Sequence, residues 1–326
     1  MHKIYHYTSV FSQNIKDYIY CKREAGFKYD NPAYWLYRFD QFCNEIDYKE
    51  SYVNKHLYDK WSHRFSSETK TTQNNRLQAL RGFCVYLNTL GIESYIPKNL
   101  PRPEKIVPYL MTDKDIVEFF EKVDLYKTTS NIAAFNRMSY EYPLLFRLIY
   151  CCGLRNNEAC SLKICDMDLD KGIITLYRTK GNKERLVYLA DDLCSLCLDY
   201  VSWIKRELGN NCEWAFPGKD IEEHIPKTSV DRKFNEFWNK TDAAKVADKK
   251  PTVHCLRHAF VIKRINLWME EGISLNSMMP FLSAYLGHKS PNETFYYYHQ
   301  VEDVFSTLKL KDNVSMRVIP EVKFYE

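Results

Sequence analysis

The sequence has no apolar run of about 20 residues, the length that a helix needs to cross a membrane. Its first residues, MHKIYHYTSVF, lack the apolar stretch and the small-residue cleavage site of a signal peptide. Internal repeats and low-complexity tracts are also absent. These absences argue against a membrane-spanning protein or a repeat protein, and we expect a cytoplasmic protein.

Candidate metal ligands at a recognisable spacing are missing as well. The 11 cysteines are odd in number and scattered, which is typical of reduced thiols in a cytosolic protein. Cys194 and Cys197 form one CxxC pair, but no second pair and no HxxxH lies at zinc-finger spacing. No acidic set is similar to the carboxylates with which two-metal nucleases bind Mg²⁺. We therefore expect neither a metal nor a cofactor.

The chain is long enough for two domains, because 326 residues can bury a core in each. Its hydrophobic content of 45% and charged content of 27% are ordinary for a globular protein. The net charge of +4 is uneven, since residues 1–110 hold 16 Lys and Arg against 11 Asp and Glu. The resulting excess of +5 in this part suits a polyanionic partner.

Apolar periodicity predicts a helical first domain over residues 1–95. An aromatic-rich helix begins near Tyr34, and a second runs from Thr72 to Leu90 with Gly91 as its C-terminal cap. Four prolines follow within residues 96–110. Proline fixes the backbone and removes hydrogen-bond donors, so this stretch is predicted to be an extended linker between domains.

A second domain, residues 111–300, is predicted to be mainly helical. Thr112 and Asp115 have the spacing of a capping box at the start of its first helix. The nearly all-apolar stretch 142–152 predicts a buried helix that ends at Gly153. Further helices are expected at residues 191–208, 228–240 and 255–271.

One segment of this domain changes from helical to strand periodicity. Residues 172–189 contain two β-rich runs on either side of Gly181 and Asn182, a dipeptide that favours a turn. This pattern predicts a hairpin. The expected fold class is therefore mainly α with a small antiparallel β-sheet.

Five short segments of the second domain carry chemically reactive residues. Each alone has an ordinary explanation, such as a surface arginine, a helix-capping histidine, or tyrosines divided between core and surface. Their order along the chain makes a coincidence of five ordinary segments improbable. The segments are GLRNNEAC at 153–160, RTKGNKERL at 178–186, HCLRH at 254–258, YLGHKS at 285–290 and TFYYYHQ at 294–300.

In this order the segments resemble the catalytic domain of the tyrosine recombinases, a family that includes phage integrases and Xer-type resolvases. The family pattern has an Arg in GLR-x-x-E, a Lys in a hairpin turn, HxLRH, LGH, and a Tyr nine residues later. The match spans residues 108–300, and a helical core-binding domain followed by a linker also fits the family's layout. The positions that match the active-site residues are Arg155, Lys180, His254, Arg257, His288 and Tyr297.

Two of these residue types suit the cleavage of a phosphodiester without a metal. The attacked phosphate gathers charge on its non-bridging oxygens, and fixed donors must neutralise that charge. Arginine can fork onto phosphate oxygens and lysine cannot, so Arg155 and Arg257 form the predicted clamp. His288 can donate one further hydrogen bond, and Glu158 is interpreted as a residue that orients the first arginine segment.

The remaining residue types supply a nucleophile, a base and an acid. A tyrosine nucleophile keeps the energy of the broken bond in a phosphotyrosine ester, so that rejoining needs no ATP. Tyrosine has a pKa of about 10, so a base must accept its proton, and His254 is the predicted base. Lys180 in the hairpin is the predicted acid for the leaving oxygen, with Lys183 as the alternative.

Three adjacent tyrosines leave the register of the nucleophile open. A helix turns about 100° per residue, so the three cannot all face one phosphate. Tyr297 lies nine residues after His288 and has the family's Tyr-x-His ending, which favours it over Tyr296 and Tyr298.

The resemblance also implies a reaction path and an assembly. It implies a 3′-phosphotyrosine linkage, strand exchange through a Holliday junction, and a homotetramer on two double-stranded DNA sites. The tail, residues 301–326, carries Val304, Phe305 and Leu308 at helical spacing. It is expected to dock on a neighbouring protomer or, alternatively, to pack on its own domain.

The biological task is expected to be integration, excision or transposition of a mobile element. Alternatives are Xer-type resolution of chromosome or plasmid dimers, a type IB topoisomerase-like enzyme, and a non-catalytic DNA-binding relative. The complete set of active-site types argues against the last, and the HxLRH and LGH spellings favour a recombinase over a topoisomerase. Contacts to the DNA backbone are expected from Lys98, Arg102, Lys105 and Lys183.

Overall fold

A computed structural model of the chain divides into two compact units, between residues 107 and 108. Each unit buries its own apolar core. The residues that the structure describes are 4–103, 108–128, 130, 132–177, 184–288, 290 and 293–295. Within those ranges, every helix is too short or too polar to span a membrane.

Aromatic side chains fill the space between the helices of the first unit. Phe11, Phe39, Trp61 and Phe83 are buried, and the ring centroids of the contacting pairs lie 5.5 to 6.0 Å apart. Such pairs add about 0.5–1.5 kcal/mol each beyond the burial of their area. The helices described in this unit are α1 (Ser12–Glu24), α2 (Asp30–Glu45), α3 (Lys55–Ser62) and α4 (Lys70–Thr89).

The helix predicted from Thr72 to Leu90 is observed as α4, and it ends as predicted. Gly91 has a left-handed backbone, with φ of +78°. The Ile92 amide donates to the Leu87 carbonyl at 3.0 Å across this turn. That bond is characteristic of a helix end closed by a left-handed glycine, so the sequence located this boundary to within two residues.

One charged side chain lies inside the aromatic core. Arg76 is completely buried, with its guanidinium 4.7 Å from the ring centroid of Trp61 and 4.5 Å from that of Phe65. Its Nε and Nη2 each donate to the Glu68 carboxylate at 2.9 Å, and it also donates to the carbonyls of Trp61 and His63. A buried charge persists only when it is paired in this way, so Arg76 fixes the loop between α3 and α4.

The described part of the second unit is mainly helical with one small antiparallel sheet, which confirms the predicted fold class. The predicted capping box is present: Thr112 Oγ1 accepts from the Asp115 amide at 3.2 Å, and the Asp115 carboxylate accepts from the Thr112 amide at 2.8 Å. The helices are α5 (Asp113–Asp124), α6 (Ala133–Cys152), α7 (Asn156–Cys160), α8 (Asp191–Leu208), α9 (Lys227–Trp238), α10 (Ala243–Val246), α11 (His254–Glu270) and α12 (Leu275–Leu286).

Helix α6 is longer than the sequence predicted. It begins at Ala133 rather than at Tyr142, and Pro143 lies inside it. The prediction followed the nearly all-apolar stretch, whereas residues 133–141 include polar side chains, which is why the predicted start was wrong. Before the proline, Arg137 and Glu141 form a buried ion pair at 3.0 Å, one turn apart, that stabilises the additional helical turns.

The predicted hairpin is confirmed. Strands β2 (Ile173–Leu176) and β3 (Arg185–Tyr188) pair antiparallel, with Leu176 opposite Arg185. A third strand, β1 (Met167–Asp168), pairs with β2 and was not predicted, because two residues carry no period. The predicted turn at Gly181 and Asn182 lies outside the described residues. Since alternate residues of a strand share a face, Arg185 lies on the same face of β3 as buried Val187.

Candidate active site

Two helices of the second unit end at glycines with a left-handed backbone. Helix α6 ends at Gly153, with φ of +63°, and α12 ends at Gly287, with φ of +64°. A Cβ atom at Gly153 would lie 2.7 Å from a ring carbon of Phe260, and one at Gly287 would lie 3.2 Å from Nη1 of Arg185. Both glycines are therefore required by backbone conformation and by space, and they bring the helix ends close to arginine side chains.

Arg257 on α11 joins these two helix ends. It is 1% exposed, and its Nη1 donates to the Gly153 carbonyl at 2.6 Å while Nη2 donates to the Leu286 carbonyl at 2.8 Å. The last carbonyls of a helix have no donor within the helix, and a cation there also interacts favourably with the helix dipole. The buried guanidinium is thus stabilised by the same backbone groups that it satisfies.

Arg155 follows α6 directly and approaches α12 from the other side. Its Nη2 donates to the Gly287 carbonyl at 2.8 Å, and its Nη1 donates to Glu158 Oε1 at 2.8 Å. The Arg155 side chain is 20% exposed, so part of this side chain is open to solvent. The GLR segment and the LGH segment therefore meet through this arginine, as the sequence predicted for neighbouring motifs of one site.

The Glu158 carboxylate lies between two arginines. It accepts from Arg185 at 2.9 and 2.7 Å, from Arg155 Nη1, and from the Arg155 backbone amide at 2.8 Å. Burial by itself would raise the pKa of Glu158, but the hydrogen bonds and charge of Arg185, followed by those of Arg155, lower that pKa to about 2. The carboxylate is therefore ionised, and it holds Arg155 as the sequence interpretation proposed.

Arg185 is the residue of this group that sequence reasoning missed. It lies in the RTKGNKERL segment, but no role was assigned to it. The signal was available in the strand pattern, because Arg185 and the apolar Val187 are two residues apart and so share the inward face. An arginine on the inward face of a strand requires an acidic partner, which is Glu158.

His288 lies between Arg257 and Thr294. Its Nε2 is 3.1 Å from Arg257 Nη2, and its Nδ1 is 2.7 Å from Thr294 Oγ1. A guanidinium can only donate, so Nε2 accepts this bond and the neutral ring donates from Nδ1 to the buried Thr294. Burial, together with the charges of Arg257 and Arg155, lowers the pKa of His288 to about 4. Thr294 was not predicted, although it opens the segment that contains the tyrosines.

His254 and His258 stand one turn apart on α11. Their rings meet edge to face with centroids 4.6 Å apart. The ring of His254 is partly buried, although the residue as a whole is exposed. This burial, followed by the charges of Arg257 and Arg155, lowers the pKa of His254 to about 4. Burial and the neighbouring His254 lower the pKa of His258 to about 3. Both rings are neutral at pH 7, and a neutral ring can accept a proton.

The structure thus brings Arg155, Arg257 and His288 together, because Arg257 contacts His288 directly and the two arginines bind the carbonyls of adjacent residues, Gly287 and Leu286. His254 lies in the same electrostatic environment. Lys98 and Arg102 are exposed residues of the first unit. Other predicted site residues fall outside the described part of the chain. They are Lys105, Lys180, Lys183 and Tyr297, together with the alternatives Tyr296 and Tyr298.

The described ranges contain no group of three or more His, Cys, Asp or Glu arranged to hold a metal ion. The one CxxC pair has other contacts: the Cys194 thiol donates to the Leu169 carbonyl at 3.1 Å, and Cys197 is buried in the core. Both are thiols without a disulfide bond.

Comparison with known proteins places this arrangement among recombinases and integrases. Residues 116–303 match the phage integrase family. The chain is 27% identical over 296 residues to a putative integrase/recombinase, y4rB, of Sinorhizobium fredii, covering 89% of this chain and 92% of that protein. It is 25% identical over 236 residues to the tyrosine recombinase XerC of Chlamydia caviae, covering 72% of this chain and 69% of that protein.

Two solved structures share the fold. The XerH site-specific recombinase bound to a palindromic difH substrate has a TM-score of 0.63 and 22% identity, covering 88% of this chain and 79% of that one. The integrase of transposon Tn1549, in complex with transposon right end DNA, has a TM-score of 0.62 and 15% identity, covering 95% and 99%. At these identities the likeness establishes the architecture alone.

Proposed function

This chain belongs to the phage integrase family and is a tyrosine-type site-specific recombinase, and we propose that it cuts and rejoins DNA through a covalent 3′-phosphotyrosine at Tyr297. The observation that carries this proposal is the meeting of Arg155, Arg257 and His288 at the ends of α6 and α12. The two arginines are 102 positions apart in the sequence, and they bind the carbonyls of adjacent residues, Leu286 and Gly287.

The two arginines would bind the scissile phosphate, and the neutral His288 would position Arg257 for it through the hydrogen bond at Nε2. The positive charge and remaining N–H groups of the arginines oppose the negative charge that develops on the non-bridging oxygens during attack. Because backbone carbonyls already hold both guanidinium groups, little rearrangement is needed when DNA binds. Such fixed donors are the preorganised kind that stabilises a transition state more than a ground state.

Proton transfer is assigned to His254 and to the hairpin lysine. The neutral ring of His254 can accept the proton of Tyr297 at pH 7. Lys180 would protonate the leaving 5′-oxygen, with Lys183 as the alternative acid. Both lysines precede Arg185, whose side chain bonds Glu158 within the site, and this supports the assignment of the acid to the hairpin.

The nucleophile can be tested by replacing Tyr297 with Phe, which deletes one oxygen and little volume. Full-length protein is incubated, in excess EDTA, with a nicked substrate built from the DNA beside its gene. Wild type, Tyr296→Phe and Tyr298→Phe should form covalent protein–DNA adducts, and Tyr297→Phe should form none. Peptide mapping should find the phosphotyrosine at Tyr297.

Two other results would contradict parts of this proposal. An adduct mapped to Tyr296 or Tyr298 would show that the register is wrong while the chemistry is right. Adducts that are lost in EDTA and return with Mg²⁺ would show that cleavage depends on a cation.

Double-stranded DNA is the proposed partner, and action on cellular DNA supports a cytoplasmic location. We propose that residues 1–95 form a core-type DNA-binding domain, that 96–110 form the linker, and that 111–300 form the catalytic domain. The exposed Lys98 and Arg102, with Lys105 and Lys183, would contact backbone phosphates. A homotetramer on two recombination sites would exchange strands through a Holliday junction.

The tail, residues 301–326, is proposed to dock on a neighbouring protomer. Val304, Phe305 and Leu308 would form its apolar face. A groove of about 950 Å³ on the second unit supports this assignment, because its walls are largely apolar and could receive such a face. Among the residues that line the groove are Phe120, Tyr150, Leu193, Phe260, Leu282 and Tyr285.

The proposed task is integration, excision or transposition of a mobile element, with Xer-type dimer resolution as the alternative. The relatives include both a putative integrase/recombinase and a XerC, so both tasks belong to similar proteins. An assay of strand exchange between two labelled sites separates a recombinase from a topoisomerase-like enzyme, which would relax supercoils and exchange nothing. Sequencing the DNA beside the gene would then distinguish element ends from a chromosomal resolution site.

A further inference from the structure

The charges around Arg155 do not balance unless Arg185 is included. Arg155 has a side chain that is 20% exposed, and Glu158 lies 2.8 Å from its Nη1. A carboxylate paired with this arginine alone would cancel the positive charge that a phosphate needs. It would also attract Arg155 inward, away from an incoming phosphate.

Arg185 supplies the second positive charge. Its two terminal nitrogens bond both oxygens of Glu158, at 2.9 and 2.7 Å, in the forked geometry that is the strongest pairing of arginine and carboxylate. Arg155 uses Nη1 on the same carboxylate and keeps Nη2 on the Gly287 carbonyl. Two arginines and one carboxylate leave a net charge of +1, and it resides on the partly open member.

The fold leaves space for the side chains of Arg155, Glu158 and Arg185 to lie together. Arg185 is the first residue of β3, and its side chain is 7% exposed. A Cβ atom at position 287 would lie 3.3 Å from Arg185 Cδ and 3.5 Å from Arg155 Nη1, so Gly287 leaves space for both arginines. The hairpin and the GLR segment therefore meet at the Glu158 carboxylate, and Gly287 at the end of α12 lies beside both arginines.

We propose that Arg185 is a positioning residue for strand cleavage, which neutralises Glu158 so that Arg155 keeps its charge and its orientation toward the scissile phosphate. The inference rests on the proposed function, in which Arg155 binds that phosphate. Arg185 itself is buried behind Glu158 and acts through it.

The test replaces Arg185 with Met, alone and together with Glu158→Gln. In Arg185→Met the uncompensated carboxylate competes with the phosphate for Arg155, so single-turnover cleavage at saturating DNA should fall about tenfold or more. Adding Glu158→Gln removes the competing charge and keeps an oxygen that can accept from Arg155. The double variant should therefore recover most of the lost rate. DNA affinity, measured by fluorescence anisotropy, should change little in either variant.

A matched control is the buried ion pair of Arg137 and Glu141, which lies in the same unit and contacts none of the residues named in the site. Arg137→Met, alone and with Glu141→Gln, should lower thermal stability without a specific loss of cleavage by the folded protein. Rescue by removal of a charge is a result that a merely structural role of Arg185 would not give.

Two results would overturn the inference. Cleavage by Arg185→Met at the wild-type rate would show that Arg155 does not depend on Arg185. A double variant that cleaves as slowly as Arg185→Met would show that Arg185 does not act through Glu158. Failure of the proposed function looks different, because wild type would then form no adduct or Arg155→Ala would cleave at the wild-type rate.

Discussion

The two arginines of the proposed clamp, Arg155 and Arg257, differ in their surroundings, although each follows a leucine in its motif. Arg257 is 1% exposed and supplies donors to the carbonyls of Gly153 and Leu286. The Arg155 side chain is 20% exposed, and its partner Glu158 would keep Arg185 if Arg155 were removed. Loss of Arg257 therefore leaves the carbonyls of two buried residues without this donor, at a cost of about 1–3 kcal/mol, whereas loss of Arg155 removes a donor only from the carbonyl of half-buried Gly287.

We expect Arg155→Ala and Arg257→Ala both to lower cleavage by roughly 10²–10³-fold, the usual loss for one fixed donor to a developing anion. Arg257→Ala should also lower the melting temperature of the second unit more than Arg155→Ala does, by about 2–4 °C for each additional kcal/mol lost. A nicked-substrate cleavage assay and thermal denaturation measure the two effects. Equal melting temperatures for the two variants would refute the structural role of Arg257.

The neutral histidines predict how stability depends on pH. Burial lowers the pKa of His258 to about 3 and that of His288 to about 4, from an ordinary value of 6.5. Between pH 6.5 and pH 4 the unfolded chain therefore binds protons that the folded chain does not. Stability is fully present above this window and is lost as the pH falls through it.

The melting temperature of wild type should fall between pH 7 and pH 5, and His258→Asn should show a smaller fall because one such group is gone. The exposed His56 of the first unit provides the control, since His56→Asn should leave the pH dependence unchanged. Identical slopes for wild type and His258→Asn would contradict the neutral, buried state of His258.

The residues that sequence could identify are those that stand inside a spaced motif. Arg155, Arg257 and His288 were identified because GLR, HxLRH and LGH occur in a fixed order. Arg185 and Thr294 were missed because their importance depends on partners, Glu158 and His288, that only the folded chain brings within hydrogen-bond distance. A hydrogen bond between residues that are far apart in the chain produces no repeating pattern in a single sequence.

Among the elements, helix ends do most to position the site. The turn at Gly287 holds Arg155 through its carbonyl and leaves space for Arg185. Gly272, at the end of α11, has a similar φ of +71°, but a Cβ atom there would meet no atom within 4 Å. The two glycines therefore share the same backbone conformation and differ in what a methyl group would contact.

Alanine at either glycine should cost about 1 kcal/mol in stability, because an L-residue is strained in the left-handed region. Only Gly287→Ala should also slow cleavage, since its methyl group displaces the Arg185 side chain, which bonds Glu158, by a few tenths of an ångström. Single-turnover cleavage at a temperature well below both melting transitions checks this. Equal cleavage by Gly287→Ala and Gly272→Ala would show that the close approach has no functional role.

Element boundaries set by local chemistry were predicted well. The capping box of α5 and the glycine end of α4 are fixed by residues within one turn. The start of α6 was wrong, because residues 133–141 interrupt the apolar pattern with polar side chains, two of which, Arg137 and Glu141, pair inside the folded unit. Arg137 also donates to the Gly218 carbonyl at 2.8 Å, a contact from outside the helix that the helix's own sequence does not reveal.

At the scale of the whole molecule, charge is distributed to suit a long polyanion. The excess of +5 lies in residues 1–110, away from the catalytic motifs in the sequence. Phosphate contacts made by such residues release counterions from DNA, so affinity falls with salt in proportion to their number. We expect such contacts to set affinity and the proposed clamp to set the rate of cleavage.

Removal of the exposed Lys98 and Arg102 should therefore separate affinity from catalysis. In Lys98→Ala/Arg102→Ala, DNA affinity should fall for every DNA sequence, and the slope of log K against log salt should become shallower by about 0.9 per lost contact. Cleavage at saturating DNA should persist, because the clamp is intact. Lys205→Ala/Arg206→Ala, which removes two charges from the end of α8, is the matched control and should leave the slope unchanged. If both double variants have the wild-type slope, residues 98 and 102 do not contact the DNA backbone, and the first unit must bind DNA through other residues or not at all.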